Sequence, residues 1–592
     1  MTSTSARPQG LLPRTDTDAW WRDAVIYQIY PRSFADANGD GIGDIQGIRE
    51  HVDHLVALGV DAVWLSPFYP SPQVDAGYDV SDYFDLAPEY GSLQDLDALI
   101  ADLHEAGIRV IVDLVPNHSS DQHAWFRAAL EAGPGSPERD RYIFRHSDDG
   151  APNNWGSLFG GPAWQPVEPL TGRSEDRGWY YLHLFAAEQP DFNWSNADVH
   201  EHFRTFLRFW VERGIEGFRV DVAHGLVKAE GLPDDDLGPN RWNVAGSPDE
   251  DAAHEKLPDV GPAFNQPGVH DIYREWRRVL DEVGEDILLV AEAWVPTEAD
   301  AAQYVRADEM SQAFNFPFLG AGWDADALRR VIDVSLSEYG AVGAPATWVL
   351  SNHDVVRHAS RLAYPADMDT DPGIGPKDPQ PDAELGLARA RAATLFMLGL
   401  PGSAYLYQGE ELGLPEHTTM EDEARQDPLW ERTNHLVPGR DGCRVPLPWT
   451  RDGASYGYNA TGRTWLPQPE GWGEYSPQAQ EGREDSTLTL YRRAIALRRE
   501  LRLGRGSVEW LDSEPGVLLL RNGTTGIVLN TTEHPVVIEG CGKPLIASWR
   551  RTDPDGADSA DAADAADAVV VPPNGACWLD TSAGGTDGGD PR

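Results

Sequence analysis

Eight short runs of β character, separated by stretches of helical periodicity, set the narrowest limit on what this chain can fold into. They are Ala24–Tyr30, Ala62–Ser66, Arg109–Val115, Gly217–Asp221, Ile287–Glu292, Gln312–Phe316, Thr347–Ser351 and Ser403–Tyr407. Helical patterns such as Leu93–Glu105 and Val199–Glu212 fall between them. Strands that alternate with helices predict a parallel sheet with helices packed on it. Eight such units predict an α/β fold of the (β/α)8 TIM-barrel type. The 592 residues exceed a bare barrel, so an insertion and a further domain are expected.

The spacing locates both additions. Between the third and fourth runs, from His118 to about Gln189, the chain is rich in Gly, Pro, Trp and Asp and keeps no helical period. A connection that long is expected to be a functional subdomain rising from the barrel top. Past Leu503 the pattern changes to short alternating runs, Gly516–Arg521, Gly526–Asn530, Val536–Glu539, Val569–Val571 and Cys577–Asp580, which predict a small antiparallel β domain. The expected layout is a barrel in two parts (18–117 and 189–503), an inserted domain (118–188), a C-terminal β domain (504–582) and a disordered tail (583–592). The acidic low-complexity stretch Asp553–Ala568 is expected as a solvated loop.

Charge narrows the range of partners. Against 96 acidic residues stand 48 basic ones, a formal net charge of −48, which repels phosphate backbones and anionic membranes. Lys228, Lys256, Lys377 and Lys543 are the lysines; a GC-rich genome accounts for that arginine bias, with adaptation to high salt as the alternative. Neither a nucleic-acid nor a membrane partner is expected. Cys443, Cys541 and Cys577 form no disulfide framework. Met1–Arg14 has no apolar signal-peptide core, and no apolar run nears the roughly 18 residues of a membrane span. The expected location is the cytoplasm, and the oligomeric state stays open.

The barrel hypothesis directs attention to the C-terminal ends of its strands. The third reads Asp113-Leu-Val-Pro-Asn-His118, the fourth Gly217-Phe-Arg-Val-Asp-Val-Ala-His224, the fifth Val290-Ala-Glu-Ala-Trp294 and the seventh Leu350-Ser-Asn-His-Asp354. Strand alternation puts Arg219 and Asp221 on one face and turns Phe218 and Val220 outward. A guanidinium two residues away favours an ionised Asp221, the state of a carboxylate nucleophile. Glu292 follows the apolar run Ile287–Ala291, where partial desolvation raises a carboxyl pKa and suits a general acid. Two carboxyls in those states, about 5 Å apart, make a retaining glycosidase.

These segments resemble a known family. DLVPNH (113–118), QPDFNW (189–194), GFRVDVAH (217–224), AEAW (291–294), SNHD (351–354) and PGSAYLYQGEELGL (401–414) are similar, in order, to the sequence regions of the alpha-amylase superfamily, glycoside hydrolase family 13. The resemblance spans roughly residues 20–500 and implies a (β/α)8 barrel, a domain B after the third strand and a β-sandwich domain C. It implies Asp221 as nucleophile, Glu292 as acid/base and Asp354 as a third acid that binds sugar hydroxyls and favours ring distortion. His118, Arg219 and His353 match polar residues around the sugar that is cleaved off.

QVDAGYDV (73–80) resembles a segment of the family's alpha-glucosidases and oligo-1,6-glucosidases. By that likeness Asp75 grips the non-reducing end together with an arginine, matched to Arg444 in GRDGCRVPLPW (439–449). Tyr78 stacks on the terminal glucose, and Phe159 and Phe185 flank it. Such a clamp closes a cleft into a pocket that admits only a chain end. The residue after Asp221 is Val222; in the resembling enzymes valine there accompanies α-1,6 action, but one methyl-sized contact discriminates by only about 1–3 kcal/mol.

Asp36-Ala-Asn-Gly-Asp-Gly-Ile-Gly-Asp44 sets oxygen ligands at alternate positions, as in an EF-hand loop, although Gly47 stands where the bidentate Glu belongs. The resemblance implies a structural Ca²⁺ or Mg²⁺ held by Asp36, Asn38, Asp40, the Ile42 carbonyl and Asp44, with no organic cofactor. The expected activity is that of a retaining exo-acting alpha-glucosidase, removing terminal α-1,4- or α-1,6-linked glucose from short oligosaccharides such as maltose or isomaltose. A transglycosylase or isomerase on the same scaffold is the alternative. A non-catalytic relative of the barrel is the third reading, disfavoured by the full acid triad.

Overall fold

The computed structural model describes residues 19–236, 261–284, 286–365, 368–370, 373–539, 542–549 and 568–581. Met1–Arg14, most of Asp553–Ala568 and the tail after 582 lie outside them.

The eight predicted runs are eight parallel strands: β1 (Val25–Ile29), β2 (Ala62–Leu65), β3 (Arg109–Leu114), β4 (Gly217–Val220), β5 (Leu288–Ala291), β6 (Gln312–Ala313), β7 (Thr347–Val349) and β8 (Ser403–Tyr407). Their order in the sheet is β7-β8-β1-β2-β3-β4-β5-β6, a nearly closed barrel with every recorded pairing parallel. Across the barrel the Tyr405 hydroxyl of β8 donates to Gln312 Oε1 of β6 at 2.8 Å.

Side-chain alternation divides the core in two. Ile26, Trp64, Ile111, Val290, Val349 and Tyr405 fill the barrel interior. Their neighbours in sequence, such as Val63, Val110, Phe218 and Leu289, turn outward into the larger cluster beneath the helices. On β4 the inward positions are Gly217 and Arg219. A Cβ at Gly217 would lie 2.9 Å from Leu288 and 3.0 Å from Ile111, so the crowded floor admits only glycine below the arginine.

Helix Leu93–Glu105 begins at a reciprocal cap between Ser92 and Asp95 and buries Leu96, Leu99, Ile100 and Leu103. The helix expected at Val199–Glu212 starts two residues earlier, at Ala197, where Asn196 caps it. The sixth strand is shorter than expected. Asn315 accepts from the Phe318 N–H and starts the helix Phe316–Leu319, with Pro317 in its first turn.

The excursion between β3 and β4 contains a helix that its composition hid, Ala124–Ala132, and a three-stranded antiparallel sheet in the order Phe144–His146, Trp179–Leu182, Trp164–Pro166. It is stapled to the segment after β4. Asn154 Nδ2 donates to the Asp235 carbonyl (2.9 Å), the Asp235 N–H to Asn154 Oδ1 (2.7 Å) and Trp155 Nε1 to the Pro233 carbonyl (2.9 Å).

At the C-terminal end a five-stranded antiparallel sheet runs Glu509–Trp510, Val517–Asn522, Thr525–Asn530, Gly575–Asp580, Lys543–Ala547, beside a pair Val536–Glu539/Ala568–Val571. The two outer strands of the larger sheet were not anticipated. One is two residues long, and the other carries Pro544, which only an edge tolerates. The buried helix Ala383–Gly399 joins this sheet to the barrel: Trp578 Nε1 donates to the Leu395 carbonyl (3.0 Å) and Asn522 Nδ2 to the Gly399 carbonyl (2.8 Å). Among the described residues no helix is long and apolar enough to cross a membrane.

Candidate active site

The C-terminal ends of β3, β4 and β5 converge on one guanidinium. Arg219 Nη1 donates to Asp113 Oδ1 and to Asp221 Oδ1, each at 2.7 Å, and Nη2 reaches Glu292 Oε2 at 2.8 Å. The side chain lies over the Trp64 ring, 5.3 Å from its centroid. Trp64 Nε1 in turn donates to Asp113 Oδ2 (2.9 Å). Alternation on β4 therefore faces Arg219 and Asp221 inward as expected, but Arg219 serves three carboxyls instead of one.

That sharing works against the ionised Asp221 expected from the neighbouring guanidinium alone. Burial pushes the Asp221 carboxyl well above its ordinary range; Arg219 pulls it down, and Glu292, Asp113 and Asp354 add to the rise. Burial likewise lifts Asp113 to about 6 against the pull of Arg219. One positive charge divided among three acids does not hold Asp221 fully ionised. Glu292 retains 13% side-chain exposure against 8% for Asp221, so the nucleophile candidate is the more enclosed of the two. Glu292 Oε2 also accepts from the Val222 N–H (2.9 Å), and Trp294 Nε1 stands 3.4 Å from Oε1.

At the end of β7 the balance is opposite. Asp354 Oδ1 meets Arg440 Nη1 at 3.0 Å and Arg444 Nη2 at 2.8 Å. Burial raises its proton affinity, but His353, Arg440 and Arg444 overcome that and hold the carboxyl well below the usual range. His353 is neutral, its pKa lowered to about 3 by burial. Gln28 Nε2 donates to its Nδ1 (2.7 Å), which leaves the ring proton on Nε2, facing the Tyr78 hydroxyl (2.6 Å) and Asp354 Oδ2 (3.1 Å). Tyr78 and His353 stack almost parallel, 5.3 Å apart.

The arginine paired with Asp75 differs from the one expected. Arg440 Nη2, not Arg444, meets Asp75 Oδ1 at 2.9 Å. Arg440 is aimed by Asp427, whose Oδ2 accepts from its Nε at 2.7 Å. Arg444 instead donates from Nε to the His353 carbonyl (2.8 Å) and supports Asp354 from behind. The two arginines lie four residues apart around the turn Asp441–Cys443; both meet Asp354, and Arg440 alone goes on to Asp75. Burial raises the Asp75 carboxyl while Arg440 and Arg444 lower it.

The remaining predicted residues border the same space. His118, neutral with a pKa near 4 through burial, receives Asn117 Nδ2 at Nδ1 (3.1 Å) and faces Phe185 at 5.0 Å. Phe159 packs edge-on to Phe185 at 5.6 Å and underlies Arg440 at 5.4 Å. Gln189 Nε2 donates to Asp75 Oδ2 at 3.2 Å. Two features escaped sequence reasoning. Trp294 is 44% exposed and lies flat on Phe316, 3.7 Å away at 7°. Buried Lys228 joins Asp191 Oδ2 (2.8 Å), Asn117 Oδ1 (2.9 Å) and the Gly225 carbonyl. Lys228 was visible only as one of four lysines.

The Asp36–Asp44 loop stands apart from this cluster. Asp36 accepts from the Gly39 and Gly41 amides, Asn38 from Asp40, Asp40 from Ile42, and Asp44 from Ala37, Asn38 and Gly47. Among the described residues no three His, Cys, Asp or Glu side chains gather around a common ion position.

The raised proton affinity of Asp221 makes its charge a burden on the folded state. The sign follows from linkage: a carboxyl with a raised folded pKa stabilises the fold at low pH and loses that contribution as pH climbs above about 4, its unfolded value. Asp221→Asn is therefore expected to raise the melting temperature at neutral pH, by an amount that grows between pH 5 and pH 8. Calorimetry of both proteins across that range checks it; a variant that melts below the wild type at pH 8 contradicts it.

The chain matches the family described as alpha amylase, catalytic domain, over residues 28–505. It is 38% identical over 514 residues to a probable alpha-glucosidase of Rhizobium meliloti (strain 1021), covering 84% of this chain and 86% of that one. To an oligo-1,6-glucosidase of Parageobacillus thermoglucosidasius it is 34% identical, covering 81% and 84%. Among solved structures, the alpha-glucosyl transfer enzyme XgtA superposes with a TM-score of 0.80 at 32% identity, covering 95% of this chain and 99% of that one. The trehalulose synthase MutB of Pseudomonas mesoacidophila MX-45 superposes at 0.79 with 30% identity, covering 95% and 100%. A barrel whose strand ends carry these acids, matched over most of its length, belongs to the alpha-amylase family, glycoside hydrolase family 13, and is a glycoside hydrolase.

Proposed function

We propose that this chain is a retaining, exo-acting alpha-glucosidase that removes terminal α-linked glucose from short oligosaccharides such as maltose or isomaltose. The observation that carries the reading is the ion network Asp75–Arg440–Asp354 beside the Arg219 cluster. It puts fixed charge where the outer hydroxyls of a terminal glucose would bind, an arrangement that suits a chain end. In this reading 118–188 is domain B, walling the pocket with Phe159 and Phe185, and 504–582 is domain C.

The reaction proceeds in two displacements. Asp221, ionised, attacks the anomeric carbon while Glu292, protonated, gives its proton to the departing glycosidic oxygen. Glu292, now ionised, takes a proton from water as that water's oxygen displaces Asp221. The pair thus needs one proton between them, and the crowding of acids around Arg219 supports a site that retains one. Arg219 keeps the Asp221 oxygen on line. Asp354, held ionised, accepts sugar hydroxyls, and neutral His118 and His353 donate to them. Trp294 offers an apolar face beside Glu292 where a departing sugar ring can stack.

A second reading has support from the names of the structural neighbours, an alpha-glucosyl transfer enzyme and a trehalulose synthase. The glucosyl-enzyme is the same, and a sugar hydroxyl replaces water as acceptor. Proton NMR of maltose and of isomaltose from the first seconds of reaction separates the two. Release of α-glucose is expected; an isomeric disaccharide without free glucose moves the protein to the second reading. From an aryl α-glucoside, whose only sugar product is the cleaved glucose, β-glucose as the first product removes Asp221 as nucleophile.

Arg440 gives a second test. Arg440→Ala is expected to lower kcat/KM on maltose and isomaltose about a hundredfold or more, because it removes a charge-assisted hydrogen bond and leaves a buried carboxylate unpaired. Arg444→Lys, which keeps a charge behind Asp354, is expected to lose less. Steady-state kinetics on both disaccharides checks the order.

The Asp36–Asp44 loop, with its all-oxygen donor set, suits Ca²⁺ or Mg²⁺ as a structural ion. Asp36 and Asp44 are both buried. Burial raises the Asp44 carboxyl and Asp36 adds to that, a repulsion a bound cation relieves. Asp36, Asn38, Asp40, Asp44 and the Ile42 carbonyl would hold it. Protein stripped with a chelator is expected to gain thermal stability as Ca²⁺ or Mg²⁺ is restored, by about 2.7 kcal/mol at a hundred times the dissociation constant. A melting temperature indifferent to both ions removes the site. The buried Cys443 and the small number of cysteines support work in a reducing cytoplasm, on sugars already imported.

A further inference from the structure

Val222, the residue after Asp221, has a backbone φ of +46°. For a β-branched side chain that is an outlier, since its two methyl branches crowd the backbone in the left-handed region. The residue is held there from several sides. Its side chain is buried in the apolar cluster of the excursion, with Trp155, Leu184 and Phe264. Gly225 leaves space for it: a Cβ at 225 would lie 2.6 Å from Val222 Cγ1. The Gly225 N–H closes the turn on the Val222 carbonyl at 2.8 Å, and the Tyr273 hydroxyl holds the carbonyl of Ala223.

The turn has a consequence for Glu292. In an extended strand, successive amides point to opposite sides; a left-handed residue brings neighbouring N–H groups to the same side, where they form an anion-facing concavity. Here the Val222 N–H donates to the Glu292 carboxylate (Oε2, 2.9 Å), and the next amide, Ala223, donates to the Glu292 backbone carbonyl (2.8 Å). Two consecutive amides thus hold one residue of the neighbouring strand by its side chain and by its main chain.

We infer that Val222 is a positioning residue for the acid/base: packing from the excursion fixes its left-handed turn, and the turn aims its amide proton at the carboxyl of Glu292. The inference rests on the reading of Glu292 as acid/base. A donor fixed on that oxygen orients the carboxyl and favours its ionised form, the form that must activate water in the second displacement.

The test replaces the amide by an ester. Translation with 2-hydroxy-3-methylbutanoic acid at 222 exchanges the N–H for oxygen and leaves the side chain intact; lactic acid at 223 does the same to the amide that meets only the backbone of Glu292. The pH profile of kcat/KM on an aryl α-glucoside is read at its alkaline limb, which reports the acid of the free enzyme. Loss of a hydrogen bond to a charged group is expected to move that limb upward by about one pH unit in the 222 ester and to leave it in place in the 223 ester. Val222→Gly keeps the N–H but removes the side-chain packing that holds the turn; it is expected to move the limb in the same direction by a smaller amount, and it stands as the test if the ester chain does not fold. An unmoved limb in the 222 ester, an equal shift in the 223 ester, or, where the ester chain does not fold, an unmoved limb in V222G overturns the inference. Glu292→Gln, assayed on an aryl glucoside whose leaving group needs no acid, is expected to lack the limb. If E292Q keeps it, the reading of Glu292 as the acid fails, and the inference with it.

Discussion

One buried guanidinium organises this site. Arg219 is placed by strand alternation on the inner face of β4, and from there its two terminal nitrogens reach an acid on β3, one just past β4 and one just past β5. Nη1 is divided between Asp113 and Asp221, and Nη2 serves Glu292. Three carboxyls around one cation, away from water, cannot all ionise without leaving uncompensated negative charge in a low dielectric. The cluster therefore holds protons more tightly than carboxyls in water do, as Asp113 and Asp221 both display. Acid/base cycling depends on this condition, since it requires a proton kept within the set and passed between members. The arrangement opposes stability locally, and the large packed barrel and helix layer around it supply the rigidity that keeps the acids together.

Across the pocket the proportions invert. Asp354 meets two arginines, one of them shared with Asp75 and Asp427, and its carboxyl is held low where that of Asp221 is raised. His353 stands between the two regimes as a neutral ring, its proton fixed on Nε2 by the amide of Gln28 and its face covered by Tyr78. A sugar entering this space meets a proton-rich side near its reacting carbon and a charge-fixed side near its outer hydroxyls. The asymmetry comes from the number of guanidiniums each carboxyl meets: Asp354 meets two, whereas three carboxyls share Arg219.

Much of this was legible in the sequence, and the legible part is periodic. The barrel strands could be read because buried strands are short apolar runs ending in chemistry, and the helix Leu93–Glu105 because Ser92 and Asp95 mark its start. Arg219 and Asp221 followed from alternation along a strand, and Glu292 from the apolar run before it. What could not be read is non-periodic or non-local. Arg440 and Arg444 flank a 3₁₀ turn, and nothing in their spacing says which one reaches Asp75. The helix Ala124–Ala132 was masked by the Gly, Pro and Trp around it, and Lys228 draws its meaning from three acceptors on three separate segments. The surroundings of Asp221 were read only in part for the same reason: the nearest charge in sequence was counted, and the acids arriving from β3 and β5 were not.

The acceptor side explains how one fold can serve both hydrolases and glucosyl-transfer enzymes. The acids and the ion network occupy strand ends and the turn that follows β8, all fixed by the barrel. Trp294 is anchored on Phe316 but exposed on its outer face, and Val222 is pinned by the excursion whose staple to residues 232–235 borders the same side. Changes in the excursion can alter which acceptor, water or sugar, reaches the glucosyl-enzyme while the Arg219 cluster stays untouched. They cannot do so without also loading the turn at Val222, because its strained backbone is held by that packing. On the proposed reading, acceptor choice and the aim of the acid/base are thereby coupled through a single residue, and substitutions that reshape the acceptor wall would act on proton transfer as well as on binding.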